Sequence, residues 1–299
     1  MPIMNYHALF LVLTTLIFAT TTQAAESSDS GRQVPSVDAA VDFLSADNFD
    51  SVMTRLSSRF TLGQISDFKI SAETNLGYRR TSDNTVFPND LYQIGMKVSA
   101  ADRLNHFEAG LSSASDKPFD SADELNIHLS ASREMKRWER SSLRVGLIYS
   151  NRLDYPLPML LYMYSDADLS FMIGMPVASL RWKIDEKTTL AASYKPVRQA
   201  RLAVEHNLYP TLKLQLEGTI EEDSYFIAGR SDKDRALVLE VPKVVFKANK
   251  KFSNQFDMGL SAGRSFGGRF FERKGFFDEY NKEKISDAWI SGIDIKYTF

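Results

Sequence analysis

SGIDIKYTF, residues 291–299, decides how the rest of the chain is read. Ile293, Ile295, Tyr297 and Phe299 are apolar or aromatic at every second position, and Asp294, Lys296 and Thr298 fill the gaps. A strict period of two marks a β-strand with one face in an apolar environment and one in a polar environment. Chain ends usually fray and are polar. A strand that carries this alternation to an aromatic last residue therefore calls for an apolar surface at that point.

Working back from the end, the same period recurs. Phe256, Met258, Leu260 and Ala262 alternate with polar or small residues, as do Leu212, Leu214, Leu216 and Ile220. So do Leu190, Ala192 and Tyr194, and before them Ala178, Leu180, Trp182 and Ile184. Leu143, Val145, Leu147 and Tyr149 repeat the pattern, as do Leu125, Ile127, Leu129 and Ala131. Phe107, Ala109 and Leu111, then Tyr92, Ile94, Met96 and Val98, then Phe68, Ile70, Ala72, Leu76 and Tyr78 complete the series. Leu202 and Val204 mark a weak strand. Leu237, Leu239 and Val241 change phase to Val244, Phe246 and Ala248 across Pro242, which predicts a bulge. The count is about twelve strands, most of about nine to twelve residues, the length for a tilted strand crossing a bilayer.

Nearly every strand has a full apolar face, and no matching set of amphipathic helices covers them. A bilayer can cover them all if the sheet closes and leaves no backbone edge unpaired in lipid. Two sheets covering each other, as in a secreted β-sandwich, is the alternative. Tyr78, Tyr92, Tyr149, Phe266 and Trp289 fall toward the longer connections. Phe107, Trp182, Phe246, Phe256 and Tyr297 fall toward the shorter ones. Two such groups match the interfacial girdles of membrane barrels. The expected fold is all-β: a closed antiparallel transmembrane β-barrel of about twelve strands over residues 65–299. Connections alternate short and long with one exception, PVRQ at 196–199. The longest expected loop runs from Asn151 to Pro176, and its YPLPMLLYMY is apolar enough to touch lipid or a partner.

Residues 1–24 have the form of a secretory signal peptide, with an apolar core from Leu9 to Ala19 and the small residues Thr22 and Ala24 before the expected cut. That core is shorter than the roughly 20 residues of a spanning helix. Residues 25–64 read as a short periplasmic extension. Val37, Ala40, Val41 and Leu44 at helical spacing suggest one or two short helices there, with a plug for the barrel as the sharper alternative.

The C-terminal stretch resembles the C-terminal signature of Gram-negative outer-membrane proteins. That resemblance implies a cell outer-membrane location, with outer-membrane lipid and lipopolysaccharide around the barrel. It also implies that Tyr297 and Phe299 are an assembly signal read by the barrel-assembly machinery. GMPVASLRWKIDEKTTLAASYKP, residues 174–196, resembles an uncharacterised family of outer-membrane barrels carrying a domain of unknown function. That second resemblance implies a barrel and no activity.

Composition closes several routes. Lys and Arg total 36 against 38 Asp and Glu, so no basic surplus points to nucleic acid. The chain has no cysteine, which rules out disulfides, thiolate metal sites and a Cys-linked lipid anchor. No phosphate-binding glycine loop, zinc spacing or calcium loop is present, so no cofactor or metal is expected. The acidic stretches at 166–170 and 278–283 read as solvated loop charge. HLS at 128–130 resembles the His-x-Ser pair of outer-membrane lipid A deacylases, with Glu108 or Glu205 available to orient the imidazole. His128 and Ser130, however, alternate with the apolar residues and so face the lumen, whereas a lipid enzyme needs its nucleophile open to lipid. The chain is not expected to be an enzyme.

Function is expected on the inward face. Its candidate lumen-lining residues are Lys69, Glu73, Lys97, Glu108, His128, Arg144, Arg181, Lys183, Arg201, Glu205, Lys213 and Glu217, with Glu240, Asp257 and Asp294 among the further acids. Interleaved signs fit either cross-strand pairs that fill a closed lumen or a water-filled passage. The first expectation is a narrow channel or transporter for small polar solutes. The alternative is a closed barrel with a structural, adhesion or surface-interaction role through its long loops.

Overall fold

A computed structural model describes residues 35–82, 87–152, 155–195, 199–229, 232, 235–274 and 278–299. The expected signal peptide lies outside them. The chain forms one antiparallel sheet. Its first half comprises β1 (Ser36–Ala46), β2 (Phe49–Ile65), β3 (Phe68–Ser82), β4 (Asp90–Ala101), β5 (Asn105–Ser115), β6 (Leu125–Arg137), β7 (Ser141–Ser150), β8 (Leu157–Ser165) and β9 (Leu169–Met175). Then follow β10 (Ala178–Lys183), β11 (Thr188–Lys195), β12 (Gln199–Tyr209), β13 (Leu212–Tyr225), β14 (Arg235–Lys251), β15 (Phe256–Ser265), β16 (Arg269–Lys274), β17 (Asp278–Lys284) and β18 (Trp289–Thr298).

Sixteen of these strands close a ring and two lie outside it. From β1 to β15 each ring strand pairs with the next in sequence. β18 pairs with β15 on one side and β1 on the other, so the C-terminal strand is the seam that closes the barrel. β16 pairs with the upper part of β14, beyond the point where β15 ends, and β17 pairs with β16. This hairpin raises the wall above the ring.

The expected count of about twelve is therefore corrected to sixteen. All twelve expected strands fall on ring strands, and β1, β2, β8 and β9 are the four that were missing. The assignment of residues 25–64 to an extension with short helices is overturned in its described part. Residues 36–65 are two paired wall strands, continuous with β18 on one side and β3 on the other. The helical spacing of Val37, Ala40, Val41 and Leu44 arises because Ala40 and Leu44 are apolar residues on the inner face while Val37 and Val41 face outward. The long loop expected between Asn151 and Pro176 contains β8 and β9. No bulge occurs at Pro242, since β14 keeps regular register with β13 through that point. Bulges sit instead in β2, β6 and β12. In β2 the register shifts between Thr61 and Gly63, and Gly63 takes φ 145°, a conformation that favours glycine.

The two ends differ. Both described termini and most of the short turns lie at one end, with backbone N–H of Phe299 donating to the Pro35 carbonyl at 3.0 Å; the two-residue β1–β2 and β9–β10 turns lie at the other. Asp102, Asp166 and Asp185 open three of these turns. Each accepts from backbone N–H groups two and three residues ahead, at 2.6–2.9 Å. This local cap sets the turn without tertiary help. These N–H donors, Asn105 first for Asp102, Leu169 for Asp166 and Lys187 for Asp185, hold the carboxyls below the usual carboxylate range. The opposite, loop-bearing end is uneven. β2 and β14 have 17 residues each and β13 has 14, whereas β9 has seven and β10 six.

The outer surface is a belt of exposed apolar side chains, among them Met96, Leu147, Leu202, Leu216, Phe246 and Leu260. Aromatic pairs border it. Toward the turns stand Phe68 with Phe107, Phe252 with Phe256, and Tyr297 with Phe299, at centroid distances of 6.0, 5.8 and 5.0 Å. Toward the loops Tyr78 stands 5.4 Å from Tyr92.

Candidate lumen site

Arg79 of β3 fixes which face is inner. Its Nε donates to the Tyr225 hydroxyl at 3.0 Å, its Nη1 to the Ser51 hydroxyl at 3.0 Å, and its Nη2 pairs with Asp223. Asp223 and Tyr225 belong to β13, far around the ring, so these side chains meet across the interior. Strand register then assigns the whole inner face.

The alternation places all twelve candidate lumen residues on that face, from Lys69 on β3 to Glu217 on β13. Nine of them fall in two groups of ion pairs, and Lys69, Arg144 and Lys183 lie outside these. The first network is a ladder over five adjacent strands. Arg59 reaches Glu73 at 3.2 Å, Lys97 reaches Glu73 at 3.3 Å and Glu108 at 3.4 Å, and His128 Nε2 lies 3.4 Å from Glu108. Antiparallel pairing sets these residues side by side, so alternating sign across strands is what neutralises the wall. The second network lies opposite. Glu205 sits 3.6 Å from Arg181 and 3.7 Å from Lys213, while Glu217 holds Arg201 at 2.7 Å and Lys247 at 3.1 Å. Lys183 donates to the Ala167 carbonyl at 2.8 Å, and Arg144 Nη1 to the Ser132 hydroxyl at 3.2 Å. Lys69 lies near the turn end, opposite Gln64 and Ala101.

Glu240 is the exception among the further acids. It lies on the outer face of upper β14, where both its oxygens accept from Arg269 at 2.6 and 3.0 Å. At that height the faces exchange character. Leu237 and Leu239 turn inward and join Phe49, Phe87, Leu91, Tyr225, Phe270 and Ile285 in a buried apolar cluster. Phe270 packs 4.9 Å from Phe49 and 4.8 Å from Phe87. The apparent change of phase at Pro242 is this exchange: below it apolar side chains face outward, and above it they fill the interior.

The ring is pinched where the cluster forms. Backbone N–H of Phe226, just past β13, donates to the Ala114 carbonyl of β5 at 2.8 Å, and N–H of Ala228 to Asp116 at 2.8 Å. β5 and β13 are diametrically opposite. Seven strands, β6 to β12, separate them one way, and seven, β14, β15, β18 and β1 to β4, the other. In the half containing β1, the interior below the cluster narrows to a space of about 50 Å³ ringed by Arg55, Asp42, Arg79, Asp223, Glu221 and Lys243. Arg55 pairs with Asp42, and Lys243 with Glu221 at 2.7 Å. Below that waist a cavity of about 730 Å³ widens toward the turn end, lined by Asp38, Asn75, Lys213, Asp257, Asp294 and Lys296 among others.

Asp42 and Arg55 of the waist and Arg59 of the ladder were missed because they fall in the segment assigned to an extension, and Glu221 and Asp223 because they fall in an expected loop beyond the expected end of β13. The continuing alternation Glu217, Thr219, Glu221, Asp223 is the signal that could have found the last. Tyr297 and Phe299 lie at the turn end, where the Tyr297 hydroxyl donates to Gln255 Oε1 at 3.4 Å.

No family model matches the chain, and no curated protein matches it. Solved structures similar to it are barrels. An outer-membrane channel from Pseudomonas putida F1 is 12% identical, with TM-score 0.38 over 93% of this chain and all of that one. OmpT, an outer-membrane protein of Vibrio cholerae, is 9% identical, with TM-score 0.35 over 92% of this chain and all of that one. CdiB from Acinetobacter baumannii is 10% identical, with TM-score 0.45 over 90% of this chain and 60% of that one. At these scores no role is transferred from them.

Proposed function

We propose that the chain is an integral β-barrel of a Gram-negative outer membrane and that its interior is a narrow passage for small polar solutes. The closed ring, the apolar outer belt and the two aromatic borders support the membrane setting, with the turn end in the periplasm. The observation that carries the passage is the inner wall. Outside β7 to β9 it is built mostly from small residues and paired charges, and in the half containing β1 it lines a cavity of about 730 Å³ that widens toward the turn end. Sixteen strands are enough to leave an aqueous interior when the wall does not collapse inward. The apolar cluster closes the loop end of that half above the cavity, so the route enters by the cavity at the turn end and continues along the wall of β6 to β12. Arg144 and Lys183, which are not part of the ion networks, give that route a mild preference for anions.

Planar-bilayer recording tests this. Discrete small conductance steps with mild anion preference are expected. Replacing Arg144, Arg181 and Lys183 by Glu should move the preference toward cations, because fixed wall charge sets which ion enters. A barrel that is folded, judged by faster gel migration before boiling than after, yet electrically silent would refute the passage. The pinch gives one observation for a second reading, a closed barrel acting through its loop end, and electrical silence would favour it.

Assembly is proposed to depend on the terminal aromatics, through the barrel-assembly machinery. Deleting Phe299 removes little packing yet should leave precursor in the periplasm. Unchanged assembly would refute that role.

A further inference from the structure

The inner wall changes character over β7 to β9. A membrane-barrel interior is polar as a rule. Here Ile148, Leu157, Met159, Leu161, Met163 and Met172 all point inward on three adjacent strands. Register puts them in contiguous rows: Ile148 beside Leu157, and Met163 beside Met172. Leu161 is 6% exposed and Met163 38% exposed, so the stripe has a packed centre and an open edge. Gly174 beside Leu161 and Gly146 beside Met159 add no side chain, and Met159 Cε lies over Gly146, 2.8 Å from where a Cβ would stand there. Three of the six are methionines, whose unbranched, polarisable side chains adapt to varied apolar shapes.

Arg144 lies in the middle of this wall, in the row of Leu161. Its one hydrogen bond to a side chain goes to the neutral Ser132 hydroxyl, and its buried Nε has no partner among the described residues. The carboxylate beside it in the row, Glu134, is already held at both oxygens by Arg137, at 2.7 Å each. A guanidinium with no carboxylate partner among the described residues, set against an apolar stripe, fits a ligand with an anionic head and an apolar tail. Such a head can accept two parallel hydrogen bonds from the guanidinium fork.

We infer that the inner wall of β7 to β9 is a binding site for a single-chain amphipathic anion of the fatty-carboxylate class, with Arg144 on the carboxylate and the Leu157–Met172 stripe on the tail. This rests on the proposed reading of the interior as open to solutes, and it narrows the solute class.

Equilibrium dialysis of the full chain in amphipol tests it, with radiolabelled dodecanoate below its micellar concentration as the probe. Saturable one-site binding is expected. Arg144→Gln should weaken it at least tenfold, Met159→Ser should weaken it severalfold, and shortening the chain should cost about threefold to fourfold per methylene. Dodecanol, with the same tail and no charge, should bind at least tenfold more weakly. Each variant is first checked for the heat-dependent gel shift, and Met159→Ser keeps the test alive should Arg144→Gln not fold. Absence of saturable binding, equal binding of dodecanol, or binding unchanged in a folded variant would overturn the site. A protein that conducts ions but binds no dodecanoate would overturn this inference alone and leave the passage standing.

Discussion

From β5 to β13 the ring can be followed by two routes of equal strand number, and the two halves are built differently. The route through β14, β15, β18 and β1 to β4 is tall. Its upper interior is packed with Phe49, Leu91, Leu237 and Leu239, and its waist is crossed by the Arg79 contacts to Asp223 and Tyr225. The route through β6 to β12 is low, and its inner face alternates small residues, an apolar stripe and charges that pair along the wall. Strand number alone does not fix the width of a barrel interior. What the inward residues do with each other at one height decides it, and here one barrel holds both outcomes.

The largest effect is expected at the crossing. Arg79→Ala leaves the Asp223 carboxylate and Tyr225 without their cation, and breaking a pair with one buried partner costs about 4 kcal/mol. Equilibrium unfolding in denaturant should show that loss. The same substitution at Arg181, whose side chain is 55% exposed and pairs along the wall, should cost about 1 kcal/mol or less. Equal losses would erase the distinction between the halves.

Next in size is the apolar cluster. Leu237 is fully buried, and Leu237→Ala should cost about 3 kcal/mol through lost transfer and the cavity left behind. Met163→Ala, at the open edge of the stripe, should cost about 1 kcal/mol at most, since exposed sites lose little on truncation. A larger loss at Met163 than at Leu237 would show that the low half is the better packed one.

The smallest effect belongs to the turns. Asp185→Asn keeps an acceptor for the Lys187 and Thr188 N–H groups and removes only the charge. These donors lower the Asp185 pKa in the folded state, so its charge adds stability above the unfolded carboxylate value of about 3.9, and that stability is lost as pH falls through the lower folded value. The difference between wild type and Asp185→Asn, measured by thermal midpoint, should therefore be present at neutral pH and vanish in strong acid. A difference that grew on acidification would have the wrong sign.

Strands with one polar and one apolar face were legible in the sequence, and so were the inward positions they carry, because an apolar outer belt and a polar inner wall impose a period of two. The same logic hid β8. Its inner face is as apolar as its outer one, so LPMLLYMY shows no period and reads as a loop. β9 is hidden the same way by Met172. In β1, Ala40 and Leu44 blur the inner face into a helical spacing. The contact across the waist could not be read, since Arg79 and Asp223 lie 144 residues apart and meet only because the ring is pinched.

That pinch is the claim on which the contrast between the halves depends, and the absence of native cysteine makes it directly testable. Ala114 and Phe226 are joined by a backbone hydrogen bond across the full diameter of the ring, which brings their Cα atoms near the separation of about 4.4–6.8 Å that a disulfide requires. In intact membranes under mild oxidation, the double variant Ala114→Cys/Phe226→Cys should form an intramolecular cross-link, seen as a reductant-sensitive shift on boiled gels. Ser130→Cys/Ala203→Cys, on opposing walls of β6 and β12 in the open half, should not. A folded Ala114→Cys/Phe226→Cys barrel that stays reduced, or a control pair that cross-links as readily, would contradict a ring closed on one side and open on the other.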